Sequence, residues 1–138
     1  MSRILALDIG TKRIGVAVSD PLGITAKPLD YIKNDENVFQ NIKSLIESQN
    51  ISTVVIGLPI TLKGLQGQQV EYTKDFAEKL KQYIPNINIV FIDERFTTSL
   101  AEKHLSQTKK KKNMKEYIDS LSAVFILQTY LDSLFFGK

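Results

Sequence analysis

Cysteine and tryptophan are missing from the 138 residues, and histidine occurs once. Without thiols there are no disulfides and no thiolate metal sites, and a solitary imidazole excludes a histidine-rich zinc centre. Carboxylates remain as the metal ligands this chain offers, which points to hard cations. No apolar run is long enough to span a bilayer and no cleavable signal pattern opens the chain. The expected location is therefore cytoplasmic, with no membrane partner. Repeats, low-complexity tracts and linkers are also lacking, so residues 1–138 read as a single domain.

Hydrophobic residues make up 43% and charged residues 24%, proportions that suit a globular fold with a sizeable core. A net charge of +3 permits a nucleic-acid partner without demanding one.

The chain is organised around Arg3–Asp20. Ile4 to Ile9 is a short apolar run, Gly10 to Arg13 turns the chain, and Ile14 to Val18 supplies a second strand, giving a β-hairpin. Alternation puts Asp8 on the face of Ile4 and Ala6, where a bare carboxylate is costly. Two readings follow. Either a cation, a donor cluster or a metal compensates Asp8, or it accepts bonds from the Gly10–Arg13 backbone as an Asx-turn.

Farther on, Leu22 to Ile32 suits a third strand, with Pro28 marking an edge. Asn34-Asp35-Glu36 predicts a helix start, followed by Val38, Ile42, Leu45 and Ile46 at helical spacing. Thr53 to Leu58 is a buried strand stopped by Pro59. Val70 to Tyr83 is the next helix, with Thr73, Phe76, Ala77 and Leu80 inward. The strand Asn88 to Ile92 runs into Asp93-Glu94-Arg95, and Ser99 with Glu102 has capping-box spacing. Acids at the carboxyl end of a strand lie where α/β sheets hold ligands.

Lys109, Lys110, Lys111 and Lys112 form a basic run, read either as a solvated loop or as a phosphate contact. In the last helix, Glu116 to Leu134, the expected apolar side is Ile118, Leu121, Phe125 and Leu131. Asp119, Ser122, Ala123 and Ile126 share a stripe whose small members allow close approach to a sheet, carrying Asp119 inward. The competing reading is an exposed Asp in a first helical turn, favoured by the macrodipole. The order β-β-β-α-β-α-β-α-α predicts an α/β fold with a mixed sheet flanked by helices.

The segments Leu7–Asp20, Val55–Pro59, Asp93–Thr98 and Ile118–Leu131 resemble, in this order, those of the YqgF/RuvX family. Its members are described both as Holliday-junction resolvases and as nucleases processing the 5′ end of pre-16S ribosomal RNA. The resemblance implies an RNase H-like, mixed five-stranded β-sheet flanked by α-helices. It also implies phosphodiester hydrolysis with Mg²⁺ or Mn²⁺, as two ions roughly 3.5–4 Å apart. On that reading Asp8 bridges the metals, and Glu94 and Asp119 each complete one coordination sphere. Asp93 is the alternative to Glu94, which the family's pattern favours. Lys12, Arg13 and Arg95 are candidates to hold phosphates. Phe96, Ser122 and the wording of residues 60–68 depart from the usual pattern, which puts any substrate contact in that loop in doubt.

The leading expectation is processing of pre-16S ribosomal RNA, by a monomer or weak homodimer. The alternatives are a Holliday-junction resolvase acting on branched DNA and a non-catalytic nucleic-acid-binding module. Asp-Ile-Gly-Thr also resembles the phosphate loop of actin-like ATPases and sugar kinases, which need two such domains. The sequence does not choose between RNA and junction DNA, since nothing visibly reads a 2′-hydroxyl.

Overall fold

Alternation in the first two apolar runs sets the layout of the sheet. A computed structural model describes residues 2–59, 67–93 and 114–136, with side chains from 120 to 134 in the last segment. The strands are β1 (Arg3–Ile9), β2 (Arg13–Ser19), β3 (Ala26–Lys33), β4 (Ile51–Leu58) and β5 (Asn88–Asp93). The described helices are α1 (Val38–Ser48), α2 (Gln68–Tyr83) and α3 (Met114–Phe136). Sheet order is β3-β2-β1-β4-β5, so β1 is central. It pairs antiparallel with β2 and parallel with β4, and β4 continues parallel to β5. This is the expected mixed five-stranded sheet. Among the described residues, no helix is long and apolar enough to cross a membrane.

The two faces of the sheet carry different cores. Leu5, Leu7 and Ile9 of β1 join Ile14, Val16 and Val18 of β2 and Val54 and Ile56 of β4 under α1 and α2. Val38, Ile42 and Ile46 come down from α1, and Phe76, Ala77 and Leu80 from α2. Burying each large side chain contributes about 1.5–3 kcal/mol. On the opposite face Ala6, Ala17 and Val55 meet Ala123, Ile126, Leu127 and Leu131 of α3. Small sheet residues there let the helix lie close.

Three elements differ from expectation. The third strand starts at Ala26 rather than Leu22, because one carboxylate oxygen of Asp20 accepts from the amides of Ile24 (2.7 Å) and Thr25 (2.9 Å). Gly23, at φ +73°, closes that loop. Helix α1 starts at Val38, since Asp35 instead accepts the Asn37 amide in a preceding turn. On α3, Leu121 and Phe125 are only half-buried, while Ser120 is buried beside Ala123, Ile126 and Leu127. The Ser120 hydroxyl donates to the Leu29 carbonyl at 2.6 Å, which fixes the rotation of the helix.

Candidate active site

Asp8 lies on the α3 face of the central strand, on the same side as Ala6. Its cross-strand partner in β2 is Gly15. On the other side Leu7 pairs with Ile56, and the next residue along β4 is Gly57. Gly57 pairs in turn with Ile92 of β5. The half-buried carboxylate therefore stands between two strands that contribute no side chain at its level. Glycine inside a strand weakens it and marks a close approach by a ligand or another backbone. Asp8 supplies a hard carboxylate oxygen, the kind of donor that divalent cations such as Mg²⁺ take one or two of, together with substrate phosphate oxygens.

Parallel β1, β4 and β5 all end on one edge of the sheet, at Ile9, Leu58 and Asp93. Helix α3 begins towards that edge as well. Ser120 contacts Leu29, which pairs with Val16, and Val16 pairs with Leu7. Eight residues on, the Gln128 side chain reaches the far end of β3, accepting from the Ala26 amide (3.2 Å) and donating to the Ile24 carbonyl (3.1 Å). The backbone of Asp119, immediately before Ser120, thus belongs to the Asp8 end of the sheet.

The turn after β1 is held from several directions. Gly10 donates to the Arg13 carbonyl at 3.0 Å, and a Cβ on Gly10 would come within 2.4 Å of that oxygen, so only glycine fits. The Asn34 side-chain amide donates to the Gly10 carbonyl (2.8 Å) and the Tyr72 hydroxyl (2.7 Å). Its backbone amide donates to Lys12 (3.0 Å), and the Gln69 side chain donates to the Ile9 carbonyl (3.2 Å). Asn34, Gln69 and Tyr72 were not legible as partners of this turn, because they lie on β3's end and on α2. Gly15 and Gly57 stand inside the family-like segments, and their spacing from Asp8 needed the strand register to be seen.

Lys12 and Arg13 are both exposed on this turn. Asp93 ends β5 two residues after Phe91 and four after Ile89, and Ile89 packs into the core under α1 and α2. Asp93 therefore takes the sheet face opposite Asp8. Glu94, Arg95 and Lys109 to Lys112 lie outside the described residues, as does the Asp119 side chain. Among the described residues no three acidic or histidine side chains gather. Asp20 closes the β2–β3 loop, and the Thr25 amide, with that of Ile24 also contributing, holds its carboxyl below the usual range.

A family profile described as "RuvX: Holliday junction resolvase" matches residues 2–133. The chain belongs to the RuvX family. A relative from Sulfurihydrogenibium sp. (strain YO3AOP1), named "Putative pre-16S rRNA nuclease", is 69% identical over 100% of this chain and 95% of its own length. One from Halalkalibacterium halodurans with the same name is 44% identical over 94% of this chain and 96% of its own. Among solved structures, Thermus thermophilus RuvC in complex with Holliday junction substrate superposes with a TM-score of 0.67 at 11% identity, covering 99% of this chain and 97% of that one. The Fowlpox virus resolvase with its junction DNA gives 0.59 at 16% identity, covering 96% and 98%. At such identities these two structures speak to the fold, which is that of RuvC-like, RNase H-fold proteins.

Proposed function

We propose that this RuvX-family protein is a cytoplasmic, metal-dependent nuclease that hydrolyses phosphodiester bonds in maturing the 5′ end of pre-16S ribosomal RNA. It acts as a single domain, as a monomer or weak homodimer. The observation that carries the reading is the Asp8 carboxylate flanked by Gly15 and Gly57 at the ligand-binding edge of the sheet. The relatives' names supply the RNA.

Asp8, Glu94 and Asp119 are the residues to hold Mg²⁺ or Mn²⁺. Strand alternation supports Glu94 over Asp93, because Val90 and Ile92 already share the α3 face and Asp93 does not. The direction of α3 supports Asp119. A divalent ion there supplies Lewis acidity at the phosphate and lowers the pKa of water. The protein's own part is to bind and orient. Lys12, Arg13 and Arg95 hold phosphate oxygens, and the hydrogen-bonded turn keeps Lys12 and Arg13 next to Asp8. Water attacks phosphorus and the 3′ oxygen leaves, so the products carry a 5′ phosphate and a 3′ hydroxyl. Lys109 to Lys112 bind further phosphates. Neutralising them lowers the slope of log affinity against log salt by about 0.7–0.9 for each phosphate they no longer hold.

Junction DNA is the second reading, favoured by the description of the matching family. A cleavage panel with Mg²⁺ and Mn²⁺ decides between them. It contains a structured RNA bearing the 16S 5′ leader, a four-way junction and linear duplex DNA. Cleavage of the RNA alone is expected; cleavage of the junction alone moves the resolvase reading ahead, and no cleavage with either metal leaves a binding module.

A further inference from the structure

We propose that Tyr72 is a stacking platform for an unpaired nucleobase of the substrate, gripping the strand in single-stranded form beside the turn that follows Asp8. The inference rests on the nucleic-acid reading above and deepens it by naming the form of the substrate. Tyr72 lies on α2 and is 37% exposed. Exposure does not single it out, since Tyr83 on the same helix is 47% exposed. Its attachment does. The Tyr72 hydroxyl accepts from the Asn34 side-chain amide at 2.7 Å, and the same nitrogen donates at 2.8 Å to the carbonyl of Gly10, two residues after Asp8. Both amide hydrogens of Asn34 are thereby used.

The ring is held at its polar end. Three residues before it on the same side of α2, Gln69 donates to the Ile9 carbonyl, so the helix grips the turn at two points. The Asn34 backbone amide binds the Lys12 carbonyl, which ties an exposed cation and an exposed ring to one asparagine. Among the described residues no second ring and no cation stacks on Tyr72. Tyr83, by contrast, packs against Phe39 with ring centres 6.0 Å apart and has the Lys43 ammonium 5.8 Å from its own. Every nucleobase has a π-face, and a ring already restrained gains from stacking at little ordering cost. Phosphate is the wrong group for this spot, because exposed Asp75, three residues on along the same side of the helix, repels it. The backbone then belongs at Lys12 and the base on Tyr72. A base inside a duplex keeps its faces on its neighbours and must be unstacked before it can bind this way.

The test measures binding of the full chain in EDTA by fluorescence anisotropy over a range of salt. The probes are a labelled single-stranded RNA of about 20 nucleotides, a DNA of the same sequence and a duplex DNA of equal length. Tyr72→Leu is expected to weaken both single strands about fivefold or more with the salt slope unchanged, because it removes stacking and no charge. Duplex affinity stays at the wild-type value. Tyr72→Phe keeps the ring and binds close to wild-type affinity. The chain has no tryptophan, so Tyr72→Trp installs its sole indole. That emission should be quenched by either single strand and left unchanged by inorganic polyphosphate. Tyr83→Trp, eleven residues on and about 16 Å along the helix axis, is the matched control and stays unquenched.

Unchanged single-strand affinity in Tyr72→Leu overturns the platform, as does an equal loss on duplex or quenching of Tyr72→Trp by polyphosphate. A Tyr72→Phe loss as large as that of Tyr72→Leu also overturns it, since the hydroxyl's hold on the turn then explains both. If the wild-type protein binds neither single strand, the platform falls. If single strands bind and quench as expected while the cleavage panel is blank, the platform stands and the nuclease reading falls. If the panel shows cleavage while Tyr72→Leu binds like wild type, the nuclease stands without the platform.

Discussion

Under α1 and α2 the strands present Leu5, Leu7, Ile14, Val16 and Ile56, whereas under α3 the same strands present Ala6, Ala17 and Val55. Volume on the first face supplies stability, since apolar area removed from water is its main source. The second face gives up that volume, and what it gains is a helix lying close to the sheet beside a carboxylate between glycines. One sheet thus divides its labour by side. Substitutions should follow that division, affecting stability on one face and chemistry on the other.

The largest effect is expected at Asp8. Asp8→Asn keeps the size and removes the charge, and cleavage should fall by more than about 100-fold, since even outer-shell partners of a metal ligand account for 10–100-fold. Its melting temperature should not drop. Cleavage at the wild-type rate in Mg²⁺ would break the comparison outright. Leu7→Ala, one residue away on the other face, should destabilise by about 2–5 kcal/mol in urea unfolding, with kcat preserved in the folded fraction. Ala17→Leu tests the small face from the opposite direction. Overpacking beneath α3 should cost about 1–3 kcal/mol and lower cleavage as well, because the displaced helix carries Asp119. A destabilised variant with full activity would separate helix position from chemistry.

The smallest effect belongs to Asp20, on neither face. Its carboxyl is held below its ordinary value by the Thr25 amide first and that of Ile24 as well. A depressed folded pKa adds stability that is complete above the unfolded value and fades as pH falls through the folded one. Amide exchange at Ile24 and Thr25 should therefore accelerate below about pH 4, and Asp20→Asn should remove that dependence. Cleavage is expected to be unaffected.

The hairpin and the inward faces of α1 and α2 were legible, because each is a local period written in large apolar residues. Asp8's face was legible for the same reason. The start of β3 was not, since Leu22 to Thr25 has strand-like residues and only the Asp20 carboxylate, capturing two amides, decides otherwise. The rotation of α3 was legible in part: Ala123, Ile126 and Leu131 are buried as expected, whereas Leu121 and Phe125 are only half-buried. Ser120 is polar by type but buried at 4% exposure, and a single hydrogen bond to β3 turns the helix towards it. Periodicity also left Asp93 and Glu94 undecided; the face of Asp93 itself follows from Ile89, which packs under α1 and α2, and from register against β4, a property of pairing invisible in one strand alone.

Gln128 ties α3 to residues 102 and 104 positions earlier in the chain. During synthesis the hairpin, α1, β4 and α2 all precede the helix that covers Ala6 and Ala17. The face bearing Asp8 therefore stays bare until α3, which follows all of them in the chain, arrives. A growing chain has the residues of its bulky core before it has the cover of its Asp8 face.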